Sequence, residues 1–165
     1  MKIIIIYIVI AIIVFCMGFY SGFVLLNNYL SKEMKEIKEF NNKHFELYLM
    51  TIQWFQNYLA DRRVGEYLNS KGYKRIAIYG VSYIGDTLIK ELEKSDIQIG
   101  YLIDNNKSHL SDKYHTYKST DTLEDVDIVI VTPITYYEQI KEELKERVNC
   151  PIISYRQIVN DMQQE

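Results

Sequence analysis

The sequence predicts an α/β protein in which a small domain with a parallel five-stranded sheet follows a transmembrane helix and amphipathic linker helices. Three observations predict it. No charged side chain occurs from Ile3 to Leu26. A short apolar strand at Arg75–Tyr79 runs into a turn bounded by Gly80 and Gly85 and then into a helix. The run Asp-Ile-Val-Ile-Val-Thr at 127–132 is nearly all β-branched, as a strand buried on both faces must be. Residues 1–30 read as the anchor, 31–72 as linker helices and 73–165 as the α/β domain.

As a helix, Ile3 to Leu26 extends roughly 36 Å, enough to cross a hydrocarbon core of about 30 Å with some tilt. A bilayer forces backbone hydrogen bonds inward, so even this isoleucine-rich run becomes helical. The run is too long for a signal peptide and has no small-x-small cleavage pair, so an uncleaved anchor is expected. Lys32, Lys35, Lys38 and Lys43 follow it closely. Their positive charge places the C-terminal domain in the cytoplasm, giving a single-pass protein of the cell membrane. Gly18 and Gly22 form a G-x-x-x-G pair that permits a homodimer. Glycine is also common in membrane helices without pairing.

Ser31 is placed to cap a new helix, with Glu33 and Glu36 in its first turns. Phe45, Tyr48, Leu49, Ile52, Phe55 and Leu59 recur at steps of three and four, an amphipathic stripe. Met50, Trp54 and Tyr58 widen it. Such a face wants a partner: the globular domain, another copy of the helix, or the membrane surface. Asn41 and His44 interrupt any heptad, so a long regular coiled coil is not expected. Arg62 and Arg63 begin a short helix through Leu68, which Gly72 ends with a left-handed cap.

Within the domain, Arg75–Tyr79, the Gly80–Gly85 turn, a helix bearing Ile84, Leu88 and Leu92, and a strand at 97–103 ending at Asp104 give strand, tight turn, helix, strand. A dinucleotide-binding unit needs that order. Gly80 permits the sharp exit from the strand. N–H groups at Ser82, Tyr83 and Ile84 face the space above the first helix, where the helix dipole favours a phosphate. Gly85 lets the helix pack close to the sheet, and Asp104 stands where a carboxylate accepts from ribose hydroxyls. Ser82 occupies the position of the middle glycine of G-x-G-x-x-G, which narrows the approach of a pyrophosphate. The same turn also occurs without any nucleotide.

Residues 105–112 read as polar loop, 114–118 as a third strand and 122–125 as a helical turn. Asp127–Thr132 reads as a central strand ended by Pro133. A helix with Tyr137, Ile140, Leu144 and Val148 on one face follows, then a strand at 151–154 and a closing helix at 155–162. Right-handed crossovers give the order 3-2-1-4-5. A ligand then sits at the carboxyl ends of strands one and four, where Gly80, Ser82, Tyr83, Ile84, Gly85, Asp104, Thr132 and Pro133 converge.

The run Gly72–Gly80, Gly85, Leu88, Glu91-Leu92, Ser95-Asp96-Ile97 and Tyr101–Asp104 resembles small Rossmann-like domains of bacterial surface-polysaccharide proteins. Val126–Pro133 and Pro151–Ser154 are similar to the same group. The resemblance covers about 54–159. It implies a site for NAD(P) or a nucleotide-sugar and a polysaccharide-assembly enzyme as partner. It implies no transferase, because the catalytic modules usually joined to such domains are absent.

The rest of the chain limits the chemistry. A net charge of −3 excludes the basic bias of a nucleic-acid binder. Cys16 and Cys150 make neither a metal spacing nor a disulfide framework. Tyr114 with Lys118 and Tyr137 with Lys141 match Tyr-x-x-x-Lys, but with 15 tyrosines such a match is expected by chance. His44, His109 and His115 lack metal partners at ligand spacing. No complete catalytic constellation is present. The expected function is a membrane-tethered nucleotide or nucleotide-sugar binding accessory module. The alternative is a non-catalytic scaffold that docks a membrane enzyme.

Overall fold

The computed structural model describes residues 2–106 and 113–164. The chain divides into two compact units, Met1–Phe45 and Glu46–Glu165. Helix α1 spans Lys2–Leu59 and supplies the first unit and the opening of the second.

In the first unit, α1 is long and apolar enough to cross a membrane, and its apolar window buries nothing within the protein. The helix continues through Ser31, so the separate linker helix expected to start there does not exist. The reason is local: no glycine or proline occurs between Phe23 and Leu59, and Lys32, Glu33, Met34 and Lys35 are good helix formers. Side chains one turn apart support it, as Tyr29 donates to Glu33 (2.9 Å) and Lys35 approaches Glu39 (3.9 Å).

The second unit is a three-layer α/β domain. Its strands are β1 (Arg75–Tyr79), β2 (Gln98–Ile103), β3 (Thr116–Tyr117), β4 (Ile128–Val131) and β5 (Ile152–Ser154). They form one parallel sheet in the order β3-β2-β1-β4-β5, as the sequence predicts. The helices are α2 (Val64–Ser70), α3 (Tyr83–Leu92), α4 (Tyr137–Leu144) and α5 (Tyr155–Asp161). Strand alternation splits the core. Ile76, Ile78, Ile128 and Ile130 face α2, α3, α5 and the last turns of α1, whereas Ala77, Tyr79, Val129 and Val131 face α4. Gly100 is the extra residue of a bulge between β1 and β2, where Ile76 pairs with Ile99 but Ala77 with Tyr101. The bulge resets the alternation, so Ile99 and Leu102 share one face.

Met50, Trp54 and Asn57 of α1 are buried against this domain. Trp54 donates to Glu91 (2.8 Å) and stands edge-on to Tyr155, and Asn57 donates to the Val159 carbonyl (2.9 Å). The domain core therefore starts near residue 46, earlier than the boundary at 73 read from sequence. Asp61 turns the chain after α1 with φ 61°, and Arg63 stacks on Tyr58 while donating to the Tyr58 carbonyl. Gly72, at φ 84°, makes the expected left-handed stop after α2.

One expected element is absent. Residues 122–125 form no helical turn. Side chains claim this segment: Arg75 donates to the Asp125 carbonyl and Tyr101 to the Glu124 carbonyl, while the Glu124 carboxylate accepts from Arg75 and Tyr117. The expected polar loop lies largely outside the described residues, as does His109.

Candidate functional site

The candidate site is the turn between β1 and α3 at the carboxyl edge of the sheet. Gly80 carries the ladder one residue further, donating to the Ile103 carbonyl (2.9 Å), and then turns with φ 89°. A side chain there would be strained, and its Cβ would stand 2.7 Å from the Pro133 ring. Thr132, almost fully buried, donates to the Gly80 carbonyl (2.7 Å), tying the end of β4 to the turn. A Cβ on Gly85 would lie 2.0 Å from the Gly80 oxygen, so only glycine lets α3 start this close to the strand. Gly80, Gly85, Thr132 and Pro133 thus meet at the turn.

Ser82 caps α3 by backbone alone, since its hydroxyl makes no cap hydrogen bond. Helix geometry leaves the N–H groups of Tyr83, Ile84 and Gly85 without intrahelical acceptors. Ser82 and Tyr83 are exposed. These donors and the helix dipole are what the turn offers an anion. No lysine or arginine stands in 80–85, and Asp86 in the first turn pairs with Lys90 (2.5 Å).

Asp104 does something that spacing alone does not show. Its carboxylate accepts from the Val81 N–H (2.7 Å) and from the Asn106 N–H (2.7 Å). It braces the turn from inside, with one oxygen committed to each donor. Next to it, Asn105 accepts from the Ser119 N–H (3.0 Å) and hydroxyl (3.1 Å), and its amide donates to the Tyr79 hydroxyl (3.3 Å). Burial, then the charges of Glu143 and Asp104, push the Tyr79 phenol above its ordinary range. Asn105, Ser119 and Tyr79 are the site neighbours that sequence reasoning missed. No motif marks them, because they meet only once β3 has closed against β2.

A groove of about 800 Å³ opens beside the site, a volume typical of small-molecule pockets. Tyr83 and Ile84 line one end, and Phe55 and Tyr58 line the α1 side. A second cleft, of about 670 Å³, lies over the start of α4 and α5 and is lined by Tyr136, Arg156 and Asn160.

Catalytic candidates fare poorly. The Tyr137 hydroxyl donates to the Ile152 carbonyl (2.9 Å), so its proton holds β5 in place. Tyr114 donates to Glu93 (3.0 Å). His115 packs against Tyr117. Among the described residues no cluster of metal-ligating side chains exists.

Residues 72–158 match the family model described as C2185-like, N-terminal. The chain belongs to the C2185-like family. The C2185-like match begins at the Gly72 turn and ends within α5, so it spans all five strands and the whole candidate site. Helices α1 and α2 lie outside it, although Met50, Trp54, Val64 and Leu68 complete the core on one face of the sheet. Neither the curated proteins nor the solved structures contain a match to the chain.

Proposed function

We propose that the protein is a membrane-tethered nucleotide or nucleotide-sugar binding accessory module, with a Rossmann-like domain on the cytoplasmic side, acting in surface-polysaccharide biosynthesis. One observation carries the binding reading: the glycine-bounded turn at the carboxyl end of a central parallel strand, where the first N–H groups of α3 have no acceptor in the helix. A phosphate placed there accepts from Tyr83 and Ile84. Tyr83 and Ile84, which carry those donors, also line the groove that would take a ring attached to it. The uncharged length of α1 supports the anchor, and the lysines that follow support the orientation. The polysaccharide setting rests on the resemblance of the strand and turn residues.

The test is thermal unfolding of the full chain in detergent, followed by the fluorescence of Trp54, the single tryptophan. A ligand that binds only the folded state stabilises it by mass action, about 2.7 kcal/mol at a hundredfold excess over Kd. Dinucleotides and UDP-sugars at millimolar concentration are the panel. A raised midpoint with one class supports the reading, and no shift with any of them argues against it.

A second reading has an observation of its own. Asp104 is occupied by the turn, and Tyr48, Ile52, Phe55 and Leu59 of α1 are exposed. That combination suits a ligand-free scaffold docking a membrane enzyme. Co-purification of such an enzyme that survives Tyr83→Pro but not Ile52→Asp favours it.

A further inference from the structure

We propose that the outward face of α1 is a self-association surface, on which a second copy of this chain pairs in parallel, like residue against like residue. The argument starts in the second unit. There α1 buries Met50, Trp54 and Asn57 on one side and exposes Tyr48, Ile52, Phe55 and Leu59 on the other. At 100° per residue these two sets lie about half a turn apart. Phe55 edges the groove beside α3, but all four large apolar side chains stay exposed.

The first unit carries a stripe of its own. Phe23, Leu26, Leu30, Met34, Ile37, Asn41 and Phe45 recur at steps of three and four, and all are exposed. The spacing averages close to the 3.6-residue turn of an unsupercoiled helix. It is not the 3.5 of a heptad, so Asn41 and His44 break a heptad without breaking this stripe.

Three features select a second copy as the occupant. Glu33 and Lys38 flank the stripe on opposite sides, five residues apart. In a parallel pair opposite flanks face each other, so the glutamate of one copy stands on the side of the lysine of the other and the pattern complements itself. Asn41 sits in mid-stripe, where an identical asparagine on a parallel copy satisfies it, whereas a lipid surface leaves it unpaired. Gly18 and Gly22 lie a quarter turn or more round the helix from Phe23, so a glycine-mediated pair would turn the stripe away from the contact. The parallel sense rests on the anchor reading, since copies inserted in one direction meet at equal height. The self-association itself does not rest on nucleotide binding.

The experiment uses the full chain in liposomes, with Cys16→Ala and Cys150→Ala and one new cysteine at a time. Under mild oxidation Ile37→Cys and Ile52→Cys each give a covalent dimer of twice 19.6 kDa, while Lys35→Cys and Glu39→Cys, exposed on the far side of the helix from the stripe, stay monomeric. In detergent, Tyr48→Asp with Ile52→Asp loses the dimer mass while Trp54 fluorescence keeps the unfolding midpoint that the parent chain shows at concentrations too low to pair. A monomeric parent chain, equal cross-linking at the control positions, or cross-linking at only one of the two stripe positions overturns the proposal. So does a dimer that resists the aspartates and is lost in Gly18→Ile or Gly22→Ile.

Discussion

Replacing Asp104 with alanine separates a bracing carboxylate from a ligand-binding one. The carboxylate accepts two backbone N–H bonds of 2.7 Å, from Val81 and Asn106. A hydrogen bond to a charged group contributes about 1.5–3 kcal/mol. Val81 is buried, so its N–H finds no ready replacement, whereas Asn106 is exposed and rehydrates. The expected loss is therefore about 2–4 kcal/mol, nearer one full bond than two. For a unit of this size that is a fall of roughly 8–16 °C in the unfolding midpoint. Trp54 reports it well, because it is packed in the core and hydrogen-bonded to Glu91 on the helix that follows the turn. Asp104→Asn should recover part of the loss, since the amide oxygen can still accept from one N–H. An unchanged midpoint in Asp104→Ala, with ligand binding abolished, would refute the bracing role and return Asp104 to a ribose contact.

Three further outcomes follow from the same geometry. Gly85→Ala should cost about 2–3 kcal/mol despite the better helix propensity of alanine, because its Cβ would meet the Gly80 oxygen at 2.0 Å; urea unfolding checks it. Met50→Ala should cost about 2–4 kcal/mol and, at protein concentrations too low for pairing, Tyr48→Ala within about 0.5 kcal/mol, since only the first side chain faces the core; the same unfolding curves compare them. Acid should destabilise the second unit: backbone N–H groups of Arg75 and Lys74 hold the Asp127 carboxyl below its ordinary range, and hydrogen bonds from Arg75 and Tyr117 do so for Glu124. Such depressed groups add stability above the unfolded-state carboxylate range and lose it as pH falls through their folded values. The midpoint should thus drop below about pH 4, and Asp127→Asn should flatten that limb.

Much of this fold is written in local patterns. The Arg75–Tyr79 strand, the Gly80–Gly85 turn and the β-branched strand ending before Pro133 each carry a signal within a few residues, and the sheet order followed from crossover handedness. What the sequence concealed depends on distant partners. Ser31 looks like a cap, but nothing nearby stops a helix of good formers, so α1 runs on to Leu59. Residues 122–125 look helical until Arg75 and Tyr101 take their carbonyls. Asp104 has the spacing of a ribose acceptor, yet its distance to Val81 shows a structural task that spacing cannot reveal. The wide apolar face of α1 was visible, but its division between a buried side at Met50 and Trp54 and an open side at Tyr48 and Ile52 needed the packed domain.

The direct test of the central claim removes one donor, with Tyr83→Ala as the control that takes away the side chain and keeps the N–H. Tyr83 opens α3 and is 92% exposed, and the residue before it is already extended, with φ −95° and ψ −167°. Proline is favoured at a first helical position, so Tyr83→Pro keeps the fold while deleting one N–H from the anion site. Calorimetric titration of the full chain with the nucleotide that raises its midpoint should show affinity falling about tenfold in the variant, one hydrogen bond's worth, with stability unchanged. Equal affinity in the two proteins would place the ligand elsewhere and contradict the account.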